Sequence, residues 1–382
     1  MTRDHPERAR VVVCGTIFGQ IYLEALHQAD RSFELAGILS RGSDRSRHCA
    51  EQYGVPLFTS IEQIPGDVSM ACVIVRSGLL GGQGTELAAR LMGRGIHVLQ
   101  EHPLHYDELA RCLREAHRRG VVYRLNPFYR HLRPVRFFIG AARELLRRQP
   151  PVYIDAACGF QVAYALFDVI AMCLSAVHPW RILDASTLHM SAAESSGSGP
   201  FRSLSCILGG VPLTVRIQNQ LDPADPDNHA HLLHTITLGT ESGHLTLVDS
   251  HGPVLWTPRP RFPREVRSLG ATPHFSSAES ASGEFDMITT LLAAAPDSDR
   301  PHVFSRIWPE GVVHALRGLR DAALTREDPR RLGQLNLAVC QVWQDVTARL
   351  GPPELVKSNV PHRLGAQDLS VIAQAGNTWA LH

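Results

Sequence analysis

Three groups of side chains in this chain have types and spacings suited to chemistry. An imidazole and a phenol stand just past two apolar runs, His102 in Gln100-Glu101-His102-Pro103-Leu104-His105 and Tyr129 in Asn126-Pro127-Phe128-Tyr129-Arg130-His131. Each can give a proton to an atom that is gaining electrons. The second group is Gly15-Thr16-Ile17-Phe18-Gly19, which follows the apolar run Val11-Val12-Val13-Cys14. A glycine turn opening directly into a helix lets the backbone approach a pyrophosphate and aims unpaired N–H groups at it. The spacing is Gly-x-x-x-Gly rather than the usual Gly-x-Gly-x-x-Gly, so two glycines must do the work of three.

The third group is Ser40-Arg41-Gly42-Ser43, past a second apolar run. An acid at this point would bond the ribose 2′-hydroxyl of NAD, whereas an arginine suits a 2′-phosphate. Arg41 offers a planar fork of donors, and Ser40 and Ser43 add hydroxyls. NADPH is therefore the expected cofactor; the competing reading of the segment is a solvated basic loop. Arg76 and Ser77, with the glycines that follow, end a central apolar run and are expected near the nicotinamide half, as is Glu101.

These residues need a frame that brings them to one edge. Phe18, Ile21, Tyr22, Ala25, Leu26 and Ala29 fall at helical spacing behind the first glycine turn. Strands are predicted at Phe33–Leu39, Val68–Val75, Ile96–Gln100 and Val121–Leu125, with helices at Ser46–Tyr53, Gly84–Arg94 and Tyr106–Arg119 between them. This β-α alternation predicts an α/β Rossmann domain, a doubly wound parallel sheet, over residues 1–126. In such a sheet ligands lie outside the carboxyl ends of the strands, where all three groups would sit.

The pattern changes after Asn126-Pro127. A helix at Pro134–Arg148 leads into longer strands: Val152–Cys158, Ile182–Met190, Phe201–Leu208, Leu213–Gln218, Leu232–Leu238 and His244–Val248. Residues 127–382 are expected to form an α+β domain with an open, largely antiparallel sheet for substrate binding and dimerisation. Ser191–Pro200 reads as a loop, and helices are predicted at Phe285–Ala295 and Leu332–Leu350, the C-terminal ones packing back on the first domain. An open sheet face predicts a homodimer.

Composition narrows the function classes. The 382 residues have a net charge of +1, 44% hydrophobic and 20% charged residues, which gives no reason to expect a nucleic acid partner. No apolar run approaches the roughly 20 residues that cross a bilayer. The polar first ten residues lack the apolar stretch of a secretory signal. The eight cysteines contain no Cys-x-x-Cys pair, and several lie inside apolar runs, as expected of buried thiols in a reducing cytoplasm. His229, His231 and His234 tempt a metal reading, but on a strand the third would point away from the first two, so no metal is expected.

With these motifs in hand, the chain resembles the glucose–fructose oxidoreductase family. Members of that family typically carry Glu-Lys-Pro where this chain has Glu101-His102-Pro103, and many carry a histidine where Ala165 precedes Asp168. These departures, together with Gly-Thr-Ile-Phe-Gly, Ser-Arg-Gly-Ser and Asn-Pro-Phe-Tyr-Arg-His-Leu, look like one branch: the thiazolinyl imine reductases of siderophore assembly lines, of the yersiniabactin or pyochelin type. The likeness covers most of residues 10–190. It implies NADPH-dependent reduction of a thiazoline C=N to a thiazolidine, on an intermediate tethered to a carrier protein of a nonribosomal peptide synthetase. It implies Gly15, Thr16, Phe18 and Gly19 around the cofactor, and His102, Tyr129 or a water as proton donor. The rival expectations are another imine or sugar-type dehydrogenase of the same fold, and a non-catalytic NADPH-binding sensor.

Overall fold

A computed structural model describes residues 8–29, 32–75, 82–189, 198–226, 228–261, 287–294, 302–357 and 364–376. The first domain alternates β1 (Ala9–Cys14), α1 (Gly19–Gln28), β2 (Phe33–Leu39), α2 (Asp44–Tyr53), β3 (Leu57–Phe58), β4 (Met70–Val73), α3 (Gln83–Gly93), β5 (His97–Glu101), α4 (Tyr106–Arg119) and β6 (Tyr123–Asn126). The six strands are all parallel, in the order β3-β2-β1-β4-β5-β6. Val11, Val12, Val13, Ala71, Cys72 and Val73 are fully buried, because helices cover both faces of the central strands. The order reverses direction between β1 and β4, the switch point at which nucleotide folds hold their ligand.

α4 shows how local sequence sets these elements. Leu109, Ala110, Cys112 and Ala116 form its buried face; Asp107 and Glu108 stand in its first turn and His117, Arg118 and Arg119 in its last. Both charge groups oppose the helix dipole favourably, and Gly120, at φ +65°, ends the helix in a left-handed cap.

Beyond β6, α5 (Arg133–Arg148) leads to β7 (Tyr153–Gly159) and α6 (Ala163–Leu174). Strands β8 (Trp180–His189), β9 (Ser198–Leu208), β10 (Val211–Gln218), β12 (His234–Thr240), β13 (Gly243–Leu247), β14 (Val254–Pro258) and β15 (Thr290–Ala293) complete an eight-stranded sheet, ordered β15-β14-β13-β12-β7-β10-β9-β8, while the short β11 (Gln220–Leu221) pairs apart from it with Glu354–Leu355. It is antiparallel except where β10 runs parallel to β7. In β10 the side chains alternate: Leu213, Val215 and Ile217 enter the core while Pro212, Thr214 and Arg216 are exposed on the open face.

The helix expected at Phe285–Ala295 is instead, over its described part, the edge strand β15. A short apolar run has no decisive period, and hydrogen bonding to β14 settles its form. Of the loop expected at Ser191–Pro200, residues 198–200 belong to β9 and 191–197 lie outside the described residues. Two long helices close the fold, α7 (Trp308–Thr325) and α8 (Arg330–Leu350). Right-handed crossovers place α1 and α2 on one face of the parallel sheet and α3 and α4 on the other. α7 lies against α1, β5 and β6, completing the first face, and α8 packs on α4 and α6 to join the two domains. Gly311 permits the approach of α7, since a Cβ there would stand 2.9 Å from Leu132 Cδ2.

No helix among the described residues is long and apolar enough to cross a membrane. All eight cysteines are buried and free.

Candidate active site

The nucleotide turn is built as the glycines require. Gly15 has φ +101°, and a Cβ there would lie 2.5 Å from the carbonyl oxygen of Ile74, so the backbone passes where no side chain fits. Its N–H donates to Leu39 O at 3.1 Å, which ties the turn to the end of β2. Phe18 caps α1 without a side-chain hydrogen bond, and the first turn of α1 carries no acid, so the helix N-terminus remains available to an anion. Thr16 is buried in the turn, and its carbonyl accepts from Gln20 Nε2 at 3.2 Å. The Phe18 ring stands edge-on to Phe128 at 5.2 Å and tilted on Trp308 at 5.8 Å.

At the end of β2, Ser40 Oγ accepts the Gly42 N–H at 3.1 Å and keeps its own proton for an outside acceptor. Ser43 caps α2 by accepting the Ser46 N–H at 3.3 Å. Arg41 is exposed and has no acidic partner among the described residues. A free guanidinium between two serines and a second helix N-terminus fits a dinucleotide's phosphate. Arg76 and Ser77 lie outside the described residues.

Parallel pairing sets Glu101 opposite Asn126, so the ends of β5 and β6 emerge side by side. His102 follows at once, joined to Pro103 by a cis peptide. Its Nδ1 lies 3.0 Å from Glu101 Oε1 and 3.0 Å from Asn126 O. Both partners are acceptors, so Nδ1 carries a proton and Nε2 is the atom left for exchange. Glu101, expected on the cofactor, has both oxygens engaged within the protein: Oε1 by His102, and Oε2 by the Tyr22 hydroxyl and by Asn126 Nδ2 at 3.3 Å. Its carboxylate stands behind the imidazole and orients it.

Asn126 also accepts the Phe128 N–H on Oδ1 at 3.0 Å. Phe128 then adopts φ +59°, ψ −68°, and the Tyr129 N–H reaches back to Pro127 O at 2.7 Å, a γ-turn of positive φ. A buried phenylalanine in this conformation costs about 1–3 kcal/mol, and such strain collects at functional sites. The turn delivers Tyr129, whose buried ring stands edge-on to His234 at 4.6 Å. His102 lies within electrostatic reach of the same His234, which is thus a neighbour the two share.

Behind this rim are groups to which the sequence patterns gave no part in the site. His234 Nδ1 lies 2.7 Å from Ser250 Oγ and Nε2 3.0 Å from Val162 O; burial pushes its pKa down to about 4, so it stays neutral. Asp168 is fully buried on α6 and paired with Arg130 Nη1 at 3.0 Å. Burial raises its pKa, opposed by Arg130 and then by His102. A lone acid inside Ala-Tyr-Ala-Leu-Phe-Asp-Val-Ile was the available signal for this pair. Arg130 Nε also donates to His131 Nε2 at 3.3 Å, which leaves the proton on His131 Nδ1 to bridge His314 Nδ1 at 3.0 Å. Trp308 Nε1 donates to His251 Nε2 at 3.0 Å, clasping the turn after β13 to the start of α7. Among the described residues no three His, Cys, Asp or Glu side chains are grouped to hold a metal; His229 instead meets Gln220 O at 2.7 Å.

A parallel nucleotide-type sheet followed by an eight-stranded sheet, with Tyr129 past β6 meeting His234 of β12, defines a two-domain NAD(P)-dependent oxidoreductase. Residues 9–126 match the family model for the oxidoreductase family, NAD-binding Rossmann fold, and residues 149–257 match that for the thiazolinyl imine reductase Irp3-like C-terminal domain. The chain thus carries the NAD-binding domain of that oxidoreductase family, followed by a domain that matches the Irp3-like C-terminal model. A comparison with curated proteins finds no match.

Solved structures share the fold at low identity. UDP-N-acetylglucosamine 3-dehydrogenase GnnA from Acidithiobacillus ferrooxidans is 13% identical with TM-score 0.59, over 89% of this chain and 97% of that one. KijD10, a 3-ketoreductase from Actinomadura kijaniata in complex with NADP, is 16% identical with TM-score 0.62, over 92% and 100%. GenD2 from gentamicin A biosynthesis, in complex with NAD, is 17% identical with TM-score 0.60, over 88% and 93%.

Proposed function

We infer that the chain reduces a thiazoline C=N to a thiazolidine on a siderophore intermediate tethered to a carrier protein, using NADPH. The observation that carries this reading is His102, at the position where the resemblance expects lysine, with Nδ1 occupied and Nε2 open at the rim of the nucleotide sheet. The Irp3-like match over residues 149–257 supports the choice of a C=N bond.

The residues divide the work. The Gly15–Gly19 turn and the N-terminus of α1 take the pyrophosphate; Ser40, Arg41 and Ser43 take the 2′-phosphate. NADPH, when bound, supplies a hydride. The imine carbon receives that electron pair as a new C–H bond while the C=N π pair moves to nitrogen. Nitrogen takes a proton from Nε2 of the His102 imidazolium, and the ring is left neutral with its Nδ1 proton still on Glu101 and Asn126 O. Buried Tyr129 closes the other side of the site.

The test follows the loss of NADPH absorbance with a thiazoline-containing siderophore analogue, beside NADH and a panel of sugars. Turnover of the thiazoline is expected, and sugar oxidation would overturn the reading. Arg41→Ala is expected to weaken NADPH binding by roughly tenfold to a hundredfold, the range of a charge-assisted pair, and NADH binding hardly at all. Equal losses for both cofactors would remove Arg41 from the phosphate site.

A further inference from the structure

We propose that Tyr22 is a positioning residue that sets how tightly His102 holds its proton, acting through Glu101. The effect on turnover rests on the reading of His102 as proton donor; the effect on the imidazole itself does not. Tyr22 sits one turn into α1, the helix that begins at the nucleotide turn, and is fully buried. Its hydroxyl donates to Glu101 Oε2 and accepts from Asn126 Nδ2 at 2.5 Å. Burial, and then the Glu101 charge, raise its pKa well above the ordinary phenol value, so it stays a donor.

The directions of these bonds leave no freedom. Asn126 Nδ2 points to Tyr22, Asn126 Oδ1 is taken by the Phe128 N–H, and the phenol proton has only the carboxylate to go to. Tyr22 therefore draws negative charge toward Oε2 and away from Oε1, the oxygen that holds His102. A carboxylate without this donor would hold an imidazolium more tightly. The other groups facing His102 are the Tyr164 ring at 5.4 Å, Asp168 with its partner Arg130, and neutral His234. None of them bonds Tyr22, so none changes when it is replaced.

The experiment compares the parent enzyme with Tyr22→Phe and Glu101→Gln. The readouts are the His102 ring titration, by nuclear magnetic resonance on histidine-labelled protein, and the pH profile of kcat. Tyr22→Phe is expected to move the His102 titration up by about one pH unit, the size of a lost hydrogen bond to a charged group. Glu101→Gln is expected to move it down. A fluorinated tyrosine at position 22, a stronger donor of the same shape, should also move it down and does not depend on Tyr22→Phe folding. No movement, or movement of Tyr22→Phe and Glu101→Gln in the same direction, overturns the proposal. A titration that shifts as expected while the kcat profile stays still upholds the coupling and instead removes His102 as the proton donor.

Discussion

His102→Ala is expected to lower kcat by about 10²–10⁴, the usual worth of a positioned general acid, while leaving NADPH affinity unchanged. The affinity should hold because the imidazole touches Glu101, Asn126 O and the Tyr164 ring, while the cofactor turn lies across the sheet at β1 and β2. Single-turnover hydride transfer and a direct NADPH titration separate the two quantities. Tyr129→Phe is expected to cost less, because the ring contacts with His234 and Phe128 survive the loss of the hydroxyl. Full activity in His102→Ala would return the protonation step to water.

The largest effect on stability is expected from Arg130→Ala. Arg130 and Asp168 form a salt bridge with side chains 6% and 0% exposed, and removing one partner of such a pair typically costs about 3–5 kcal/mol. The loss should depend on pH in a definite direction. Asp168 already binds its proton more tightly in the folded chain, and removing Arg130 takes away the largest charge opposing that. A group with a raised folded-state pKa contributes stability below its unfolded pKa, which is lost as pH rises through the folded one. The deficit should therefore be smallest in acid, where Asp168 is protonated, and grow toward neutrality. Denaturant unfolding of Arg130→Ala at two pH values measures this, and an equal deficit at both would mean that Asp168 is not its source. Replacing both partners with apolar residues is expected to recover most of the loss.

Much of the site could be read from the chain because its parts are local. The φ of +101° at Gly15 is set within one turn, and the Ile74 carbonyl that excludes a side chain there follows from the parallel pairing of β1 with β4. Glu101-His102 and Asn126 could be placed together because parallel strands in register end together. Tyr22 was legible only as one of several apolar positions on a helix face, since its partner lies 79 residues away in sequence. The same holds for Arg130 and Asp168, 38 residues apart. Trp308 and α7 fell outside the periodic segments that were singled out, and the edge strand at Thr290–Ala293 carries a period that strand and helix share.

The position of α7 bears on how the protein is made. The first domain's sheet is complete in sequence at Asn126, but the helix that covers β5 and β6 beside α1 begins only at Trp308. At ordinary ribosomal speeds that helix appears on the order of 10–40 s later. Until then the apolar flank later met by Val312, Leu316 and Leu319 is bare, and transiently exposed apolar surface of this kind favours aggregation. Cutting the chain after its first domain would make that passing exposure permanent.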